Sequence, residues 1–216
     1  AARVVMAGCL SQRYAQDIAK EIPELAGVFG NRAPHLMPKF LSRISGLDDS
    51  ASSGAPSSGD EPAVWLPTEP LSTHSRQRLL SFPGSAFVKV SEGCDNRCTF
   101  CAIPLIRGEL RSKPLPRLLT EIDELLSKGT HEINLVAQDL ASYGRDFGKP
   151  TINSATPHGS RRVNTPGIEL LRSLSARGGD FWIRLLYVYP ERFPTEFLDV
   201  MEADSRLLPY FDIPFQ

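Results

Sequence analysis

Hydrophobic and polar positions divide the chain into three stretches of different character. In the first, the apolar run Val4-Val5-Met6-Ala7 stops at Gly8, which predicts a short buried strand over residues 4–8 with Cys9 at its exit. Tyr14, Ile18, Ile22 and Leu25 then recur at three- and four-residue steps. This predicts a helix from Gln12 to Leu25, capped by Ser11 and disturbed in its last turn by Pro23. Gly27-Val28-Phe29-Gly30 reads as a second short strand, so the stretch is a βαβ-like unit whose beginning is expected to lie upstream of Ala1. Residues 42–81 change character: Ser, Gly, Pro and acidic residues dominate from Ser45 to Asp60 and offer too little apolar surface to offset the entropy of ordering. They are expected to form a flexible linker.

From Ala86 onward the pattern alternates between periods. Ala86 to Val90 predicts a strand and a cysteine-bearing loop follows. Leu115 to Lys128 then predicts a helix, with Leu118, Leu119, Ile122, Leu125 and Leu126 on one face and Gly129 as its stop. Next come a strand over Glu132 to Ala137, a helix over Ile168 to Arg177, a strand over Trp182 to Val188 and a helix over Thr195 to Ala203. The chain closes on the apolar run Tyr210 to Phe215. The order βαβαβαβ, with helices long enough for crossovers, predicts parallel strands joined by right-handed connections, and places chemistry at the carboxyl ends of the strands. Thr151 to Pro166 reads as a surface insertion, where Arg161-Arg162 either meets phosphate or is solvated loop charge.

Composition narrows the class. In 216 residues, 41% hydrophobic and 23% charged side chains are globular values, which excludes a disordered tail. Basic and acidic residues balance at 24 against 25, so no global positive field draws the chain to nucleic acid. No apolar run approaches the roughly 20 residues that span a bilayer, and no leader pattern opens the chain, so the expected location is the cytoplasm. There is no initiator Met, and the last residues lie inside an apolar run; the chain reads as a fragment or an incomplete gene model.

The cysteines carry the chemistry. Three of the four, Cys94, Cys98 and Cys101, fall within eight residues, a pattern that points to metal in a reducing compartment rather than to disulfides. Thiolates at this spacing can converge on one soft metal centre, and Gly93 gives the backbone freedom to wrap. No fourth cysteine follows, which suits a centre with an open position. The alternative is zinc in a non-catalytic binding module, with His131 or His74 as fourth ligand.

A CxxxCxxC motif with an aromatic before its last cysteine, on the loop after the first strand of an α/β barrel, resembles the radical S-adenosylmethionine enzymes. The flanking Val90-Ser91-Glu92-Gly93-Cys94, Ile103-Pro104, Arg107-Gly108 and Gln138-Asp139-Leu140-Ala141-Ser142-Tyr143-Gly144 are similar to those of the methylthiotransferases. Gly8-Cys9-Leu10-Ser11-Gln12-Arg13 and Glu21-Ile22-Pro23-Glu24 resemble the first domain of that family. The resemblance implies that Cys94, Cys98 and Cys101 hold three irons of a four-iron four-sulfur cluster whose fourth iron takes S-adenosylmethionine. It also implies that Phe100 packs near the adenine. Three cysteines bind a second cluster in the family's first domain; only the last of them, Cys9, is present here.

On this footing residues 1–41 are the end of the auxiliary-cluster domain, 42–81 the linker, and 82–216 the first four strands of a partial (βα) barrel. The motif Arg184-Leu185-Leu186-Tyr187-Val188-Tyr189-Pro190 and the closing Asp212-Ile213-Pro214-Phe215-Gln216 resemble the branch that modifies an aspartate of ribosomal protein S twelve. The other branch modifies an isopentenylated adenosine in tRNA. Partners implied are the small ribosomal subunit and an electron donor such as flavodoxin or ferredoxin; the stretch alone is expected to be inactive. Two readings stand for each remaining site residue. Gln138 and Asp139 bind the cofactor or cap the next loop; Arg107 contacts the cofactor carboxylate or is a solvated loop cation; Arg184 points into the barrel or pairs with a surface carboxylate. Cys9 alone would be a buried small hydrophobe.

Overall fold

The computed structural model describes residues 3–46, 62–68, 82–148, 151–152 and 163–214, without the side chains of 151–152, 163–164 and Arg192. The chain divides into two compact units, Ala1–Thr73 with Asn96–Gly108, and His74–Asp95 with Glu109–Gln216.

In the first unit the predicted strand appears as β1 (Val5–Ala7), but the predicted helix is two. α1 (Cys9–Arg13) opens directly after Gly8, and α2 (Ala15–Glu21) follows a break at Tyr14, whose φ of −125° is not helical. The second helix stops ahead of Pro23 because the proline ring clashes with a helical conformation of the residue before it, and Ile22 accordingly opens to φ −130°, ψ 70°. The buried face is also displaced. Tyr14 and Ile22 are 39% and 41% exposed, and Ala15 and Ile18 take the inward positions.

β2 (Gly27–Phe29) lies between β1 and β3 (Ala63–Trp65), with both pairings parallel. α2 packs Ala15 and Ile18 on Val28 and Met6. On another side α3 (Met37–Ile44) sets Phe40 against Phe29, Ala63 and Trp65, with ring centroids 5.2 Å from Phe29 and 5.9 Å from Trp65. Gly27 permits that approach, because a Cβ there would stand 2.6 Å from the Phe40 ring. The linker boundary therefore needs correction. α3 reaches into it, and the apolar triplet Ala63-Val64-Trp65 repays its ordering by completing the sheet; residues 47–61 and 69–81, His74 among them, lie outside the described residues. α4 (Ile103–Arg107) completes this unit.

The second unit is built on β4 (Ser85–Lys89), followed by β5 (Ser91–Glu92) and β6 (Arg111–Ser112), which pair antiparallel. Then come α5 (Leu115–Ser127), β7 (Glu132–Val136), the antiparallel pair β8 (Thr151–Ile152) and β9 (Val163–Asn164), and α6 (Pro166–Ser175). β10 (Trp182–Leu185), α7 (Glu196–Ala203) and β11 (Leu207–Phe211) complete it. The sheet order is β11-β10-β7-β4, all parallel. Each new strand is added beside the last in one direction, the sequence of strands in a (βα) barrel rather than in a doubly wound sheet, where the order reverses at a switch point. Period-2 alternation decides the faces. Ala86, Val88, Ile133, Leu135, Ile183 and Leu185 are buried under Leu118 and Ile122 of α5, Leu171 and Leu174 of α6, and Phe197 of α7. On the opposite face Phe87 and Trp182 are about half exposed, at 50% and 55%.

β10 ends at Leu185, three residues short of the predicted limit, because Tyr187 adopts a left-handed φ of 61° and turns the chain out of the ladder. Beyond α6, Arg206 joins three elements: its guanidinium donates to the carbonyls of Ser175 and Arg177 and to the Asp204 carboxylate. Those hydrogen bonds from Arg206 hold the Asp204 carboxyl down from 3.8 to about 2. Among the described residues, no helix is long and apolar enough to cross a membrane.

A carboxyl whose folded value is depressed adds stability above its unfolded value and loses it as the pH falls through the folded one. The second unit is therefore expected to lose stability between about pH 4 and pH 2, and Asp204→Asn to remove part of that loss. Urea unfolding at a series of acid pH values checks this.

Candidate metal centre at the strand ends

The ladder of β4 continues one step past the strand, where the Val90 N–H donates to the Val136 carbonyl at 3.0 Å. The chain then enters β5 and turns at Gly93, whose φ of 74° is left-handed. Cys94 follows directly, at the carboxyl end of the first strand of the barrel sheet. Asp95 closes this side of the loop by accepting a hydrogen bond from the Leu110 N–H at 2.9 Å. Arg97 has a left-handed φ of 50°, and the Cys101 N–H donates to the Cys98 carbonyl at 3.0 Å, bringing those two cysteines onto one tight turn. Cys94, Cys98 and Cys101 are all half-buried, and none of the four cysteines is in a disulfide. Among the described residues, no group of three His, Cys, Asp or Glu side chains is gathered closely enough to hold a metal.

By donor chemistry the loop nonetheless fits an iron–sulfur cluster. Three soft thiol donors, none spent in a disulfide, sit on a loop whose backbone is already turned at Gly93, at Arg97 and between Cys98 and Cys101. Metal binding supplies the free energy that closes such loops on their ion. Zinc with His131 does not fit. His131 precedes β7 at the amino end of the sheet, its N–H bonded to the Gly84 carbonyl at 2.7 Å, whereas Cys94 follows the carboxyl end. The five residues of β7 alone separate those ends by about 16 Å at 3.3 Å per residue.

The other predicted site residues divide. Phe100 is 68% exposed beside Cys101, and Gln138 is exposed at the end of β7, so both remain open to a ligand. Arg107 is the last residue of α4, where a cation favours the helix dipole. Cys9 is exposed at the first position of α1, and its Sγ accepts a hydrogen bond from Asn31 Nδ2 at 3.0 Å.

Asp139 is held by the protein itself. It is 3% exposed, and its carboxylate accepts from the Ala141 N–H at 3.1 Å, the Ser142 hydroxyl at 2.6 Å and the Tyr189 N–H at 3.3 Å. It caps the turn Leu140–Ser142 and ties it to the chain beyond β10, which is the capping role. Arg184 keeps both of its readings: it alternates with the helix-facing Ile183 and Leu185 and so stands on the open face of the sheet, the interior side of a (βα) barrel. Its Nε reaches Glu132 Oε1 at 2.9 Å and its guanidinium lies over the Tyr210 ring at 5.2 Å, so it pairs across the open sheet face with neighbouring strands.

One framework escaped the sequence reading. The Tyr143 hydroxyl donates to the Lys113 carbonyl at 2.8 Å, and burial together with the Asp146 and Glu169 carboxylates pushes the phenol well above its usual range, keeping it a neutral donor. Asp146 accepts from the Ser112 N–H and the Ser112 hydroxyl accepts from the Gly144 N–H, each at 2.8 Å. Gly144, at φ 77°, lies so close to Pro166 that a Cβ would stand 2.2 Å from the proline Cβ. The signal was the run Ser142-Tyr143-Gly144 itself, whose glycine needs both a left-handed backbone and an empty side chain. Arg161-Arg162 lies outside the described residues.

No protein-family model matches the chain. Among curated proteins it is 42% identical over 216 residues, its whole length, to "Ribosomal protein uS12 methylthiotransferase RimO" of Treponema denticola. It is 40% identical to the protein of the same name from Syntrophomonas wolfei and 36% to that from Acetivibrio thermocellus, over 99% of the chain in each case. The chain spans 43 to 44% of these relatives' length. Among solved structures, 94% of the chain matches 40% of TsrM of Kitasatospora setae, a radical S-adenosylmethionine methyltransferase determined with tryptophan and a cofactor analogue, at TM-score 0.58 and 17% identity. A second structure of TsrM, with cobalamin and a four-iron four-sulfur cluster, matches at the same TM-score. The α/β fold is thus similar to part of TsrM, and the likeness to proteins named as ribosomal-protein methylthiotransferases runs along the whole chain.

Removing a buried acceptor strands its donors, so Asp139→Ala is expected to cost about 1–3 kcal/mol of stability. Arg184→Met, which breaks a partly exposed pair, is expected to cost less than about 1 kcal/mol. Chemical denaturation of the two variants checks the order; a larger loss at Arg184 would show that its pair, not the Asp139 cap, holds the strand ends. Gly144→Ala is expected to destabilise by more than Gly129→Ala, since Gly129 has a left-handed φ of 86° but nothing within 4 Å of an added Cβ.

Proposed function

We infer that this chain is a stretch of a radical S-adenosylmethionine methylthiotransferase that adds a methylthio group to an aspartate of a small-subunit ribosomal protein. The observation that carries the reading is the triplet Cys94, Cys98 and Cys101 at the carboxyl end of the first strand of a one-directional parallel sheet, in a chain similar throughout to enzymes named for that reaction. Those relatives are named for a ribosomal protein, which favours that acceptor over tRNA.

Each residue then has a task. Cys94, Cys98 and Cys101 supply three thiolates to one cluster, and a centre with three protein ligands keeps a position for S-adenosylmethionine. Cys9 contributes one ligand to a second, auxiliary cluster. When bound, these groups supply a carbon-centred radical able to take hydrogen from an unactivated C–H bond, and the sulfur and methyl that replace it. Phe100 offers an exposed ring to the adenine, Gln138 an amide to the cofactor's polar groups, and Arg107 a cation to its carboxylate. Asp139 keeps the strand-end loops in place, so that water is excluded and the acceptor carbon is held close to the reacting atom. The partner is ribosomal protein uS12 on the small subunit; a flavodoxin- or ferredoxin-type donor supplies the electron, in the cytoplasm.

Anaerobic reconstitution with iron and sulfide is expected to give a brown chromophore that Cys98→Ala loses. Stoichiometric zinc with no chromophore would overturn the reading. With the enzyme at the length of its relatives, mass spectrometry is expected to find the modification on the ribosomal protein; finding it on tRNA alone would reverse the acceptor.

A further inference from the structure

Two adjacent side chains after β2 reach two different cysteine-bearing segments of the first unit. Asn31 donates from Nδ2 to Cys9 Sγ at 3.0 Å, while its backbone N–H is held by Gln12 Oε1 at 3.0 Å. Arg32 donates from Nε to the Ile106 carbonyl at 3.1 Å and from Nη2 to the Leu105 carbonyl at 3.0 Å. Its guanidinium lies against Gly108, where an added Cβ would stand 3.5 Å from Cζ. Residues 96–108 share a compact unit with residues 1–73.

The two carbonyls belong to the last turn of α4, which leaves them without partners inside the helix. With five residues, α4 is far too short to be stable alone, so its order comes from what holds it. A guanidinium fork at the negative end of the helix dipole combines charge, geometry and two hydrogen bonds. Upstream, α4 begins two residues after Cys101, and the Cys98–Cys101 turn leads directly into it.

We propose that Arg32 is a positioning residue for the cysteine loop: by gripping the Leu105 and Ile106 carbonyls it anchors α4, and through α4 it fixes the turn that carries Cys98 and Cys101. The assignment of those cysteines to a cluster rests on the function proposed above; the grip itself does not. With Asn31 beside it, one two-residue turn supports both Cys9 and the Cys98–Cys101 turn. Lysine replaces the fork only in part, because its ammonium must reach both carbonyls from one point on a flexible stem rather than from a planar pair of N–H groups.

Hydrogen–deuterium exchange read by mass spectrometry compares the full chain with its Arg32→Lys and Arg32→Ala variants. In Arg32→Ala the amides of residues 98–107 are expected to exchange about tenfold faster, with Arg32→Lys between it and the parent, and with β1 and β2 unchanged. After reconstitution with iron and sulfide, Arg32→Ala is expected to lose iron to a chelator several-fold faster at an unchanged absorbance per iron. Unaltered exchange over 98–107 would overturn the proposal, as would equal loosening of β1 and β2, which would make Arg32 a general stabiliser. A parent chain that takes up no iron would count against the proposed function, while the exchange comparison would still decide the grip.

Discussion

Ser85 to Lys89 pair in register with Glu132 to Val136, and the ladder runs on through the Val90 N–H to the Val136 carbonyl. That pairing orients the second unit. A parallel ladder aligns the carboxyl ends of its strands on one edge, and a one-residue slip would turn Ala86 and Val88 outward and Phe87 and Lys89 into the helix layer. The buried face therefore locks the register, and the register locks the edge. Gly93 and Cys94, Gln138 and Asp139, and the turn at Tyr187 all lie on that edge because they follow β4, β7 and β10 respectively. His131, one of the two histidines considered as a fourth metal ligand, lies on the other, which removes it as a partner of Cys94.

The barrel sheet was legible because its residues speak in a period. Alternation in Ala86 to Val90 and Glu132 to Ala137, and the leucine stripe of α5, are imposed by burial on one side only, which sequence records directly. The first unit was less legible. Its strands are three residues long, too short to show alternation, and β3 stands as an apolar triplet in a Ser/Gly/Pro-rich stretch. Of the helical stripe through Tyr14, Ile18, Ile22 and Leu25, only Ile18 and Leu25 pack inward. Proline geometry at position 23 and the break at Tyr14 outweighed its spacing, and beside those two stand small residues, Ala15 and Ala19, that a search for large apolar side chains passes over.

The candidate site divides along a similar line. Its cysteines are legible because thiol chemistry is scarce and spacing carries information. Polar residues at strand ends are not, since the same carboxylate serves a ligand or a loop, and only its partners decide. Asp139 has three donors from the protein and Arg184 has a carboxylate and a ring. Gln138, next to Asp139, remains exposed. Strand ends in this fold thus mix groups that face the reaction with groups that hold the first kind still.

The contact of Gly144 with Pro166 pinches the chain together at the base of the stretch between β7 and α6. Between these two residues Asp146 still reaches back to the Ser112 N–H, so the neck is fastened to β6 as well as closed on itself. The spacing of β7 and α6 thus depends on a residue that carries no side chain: any larger one at position 144 would push the proline, and the helix that begins with it, away from the sheet.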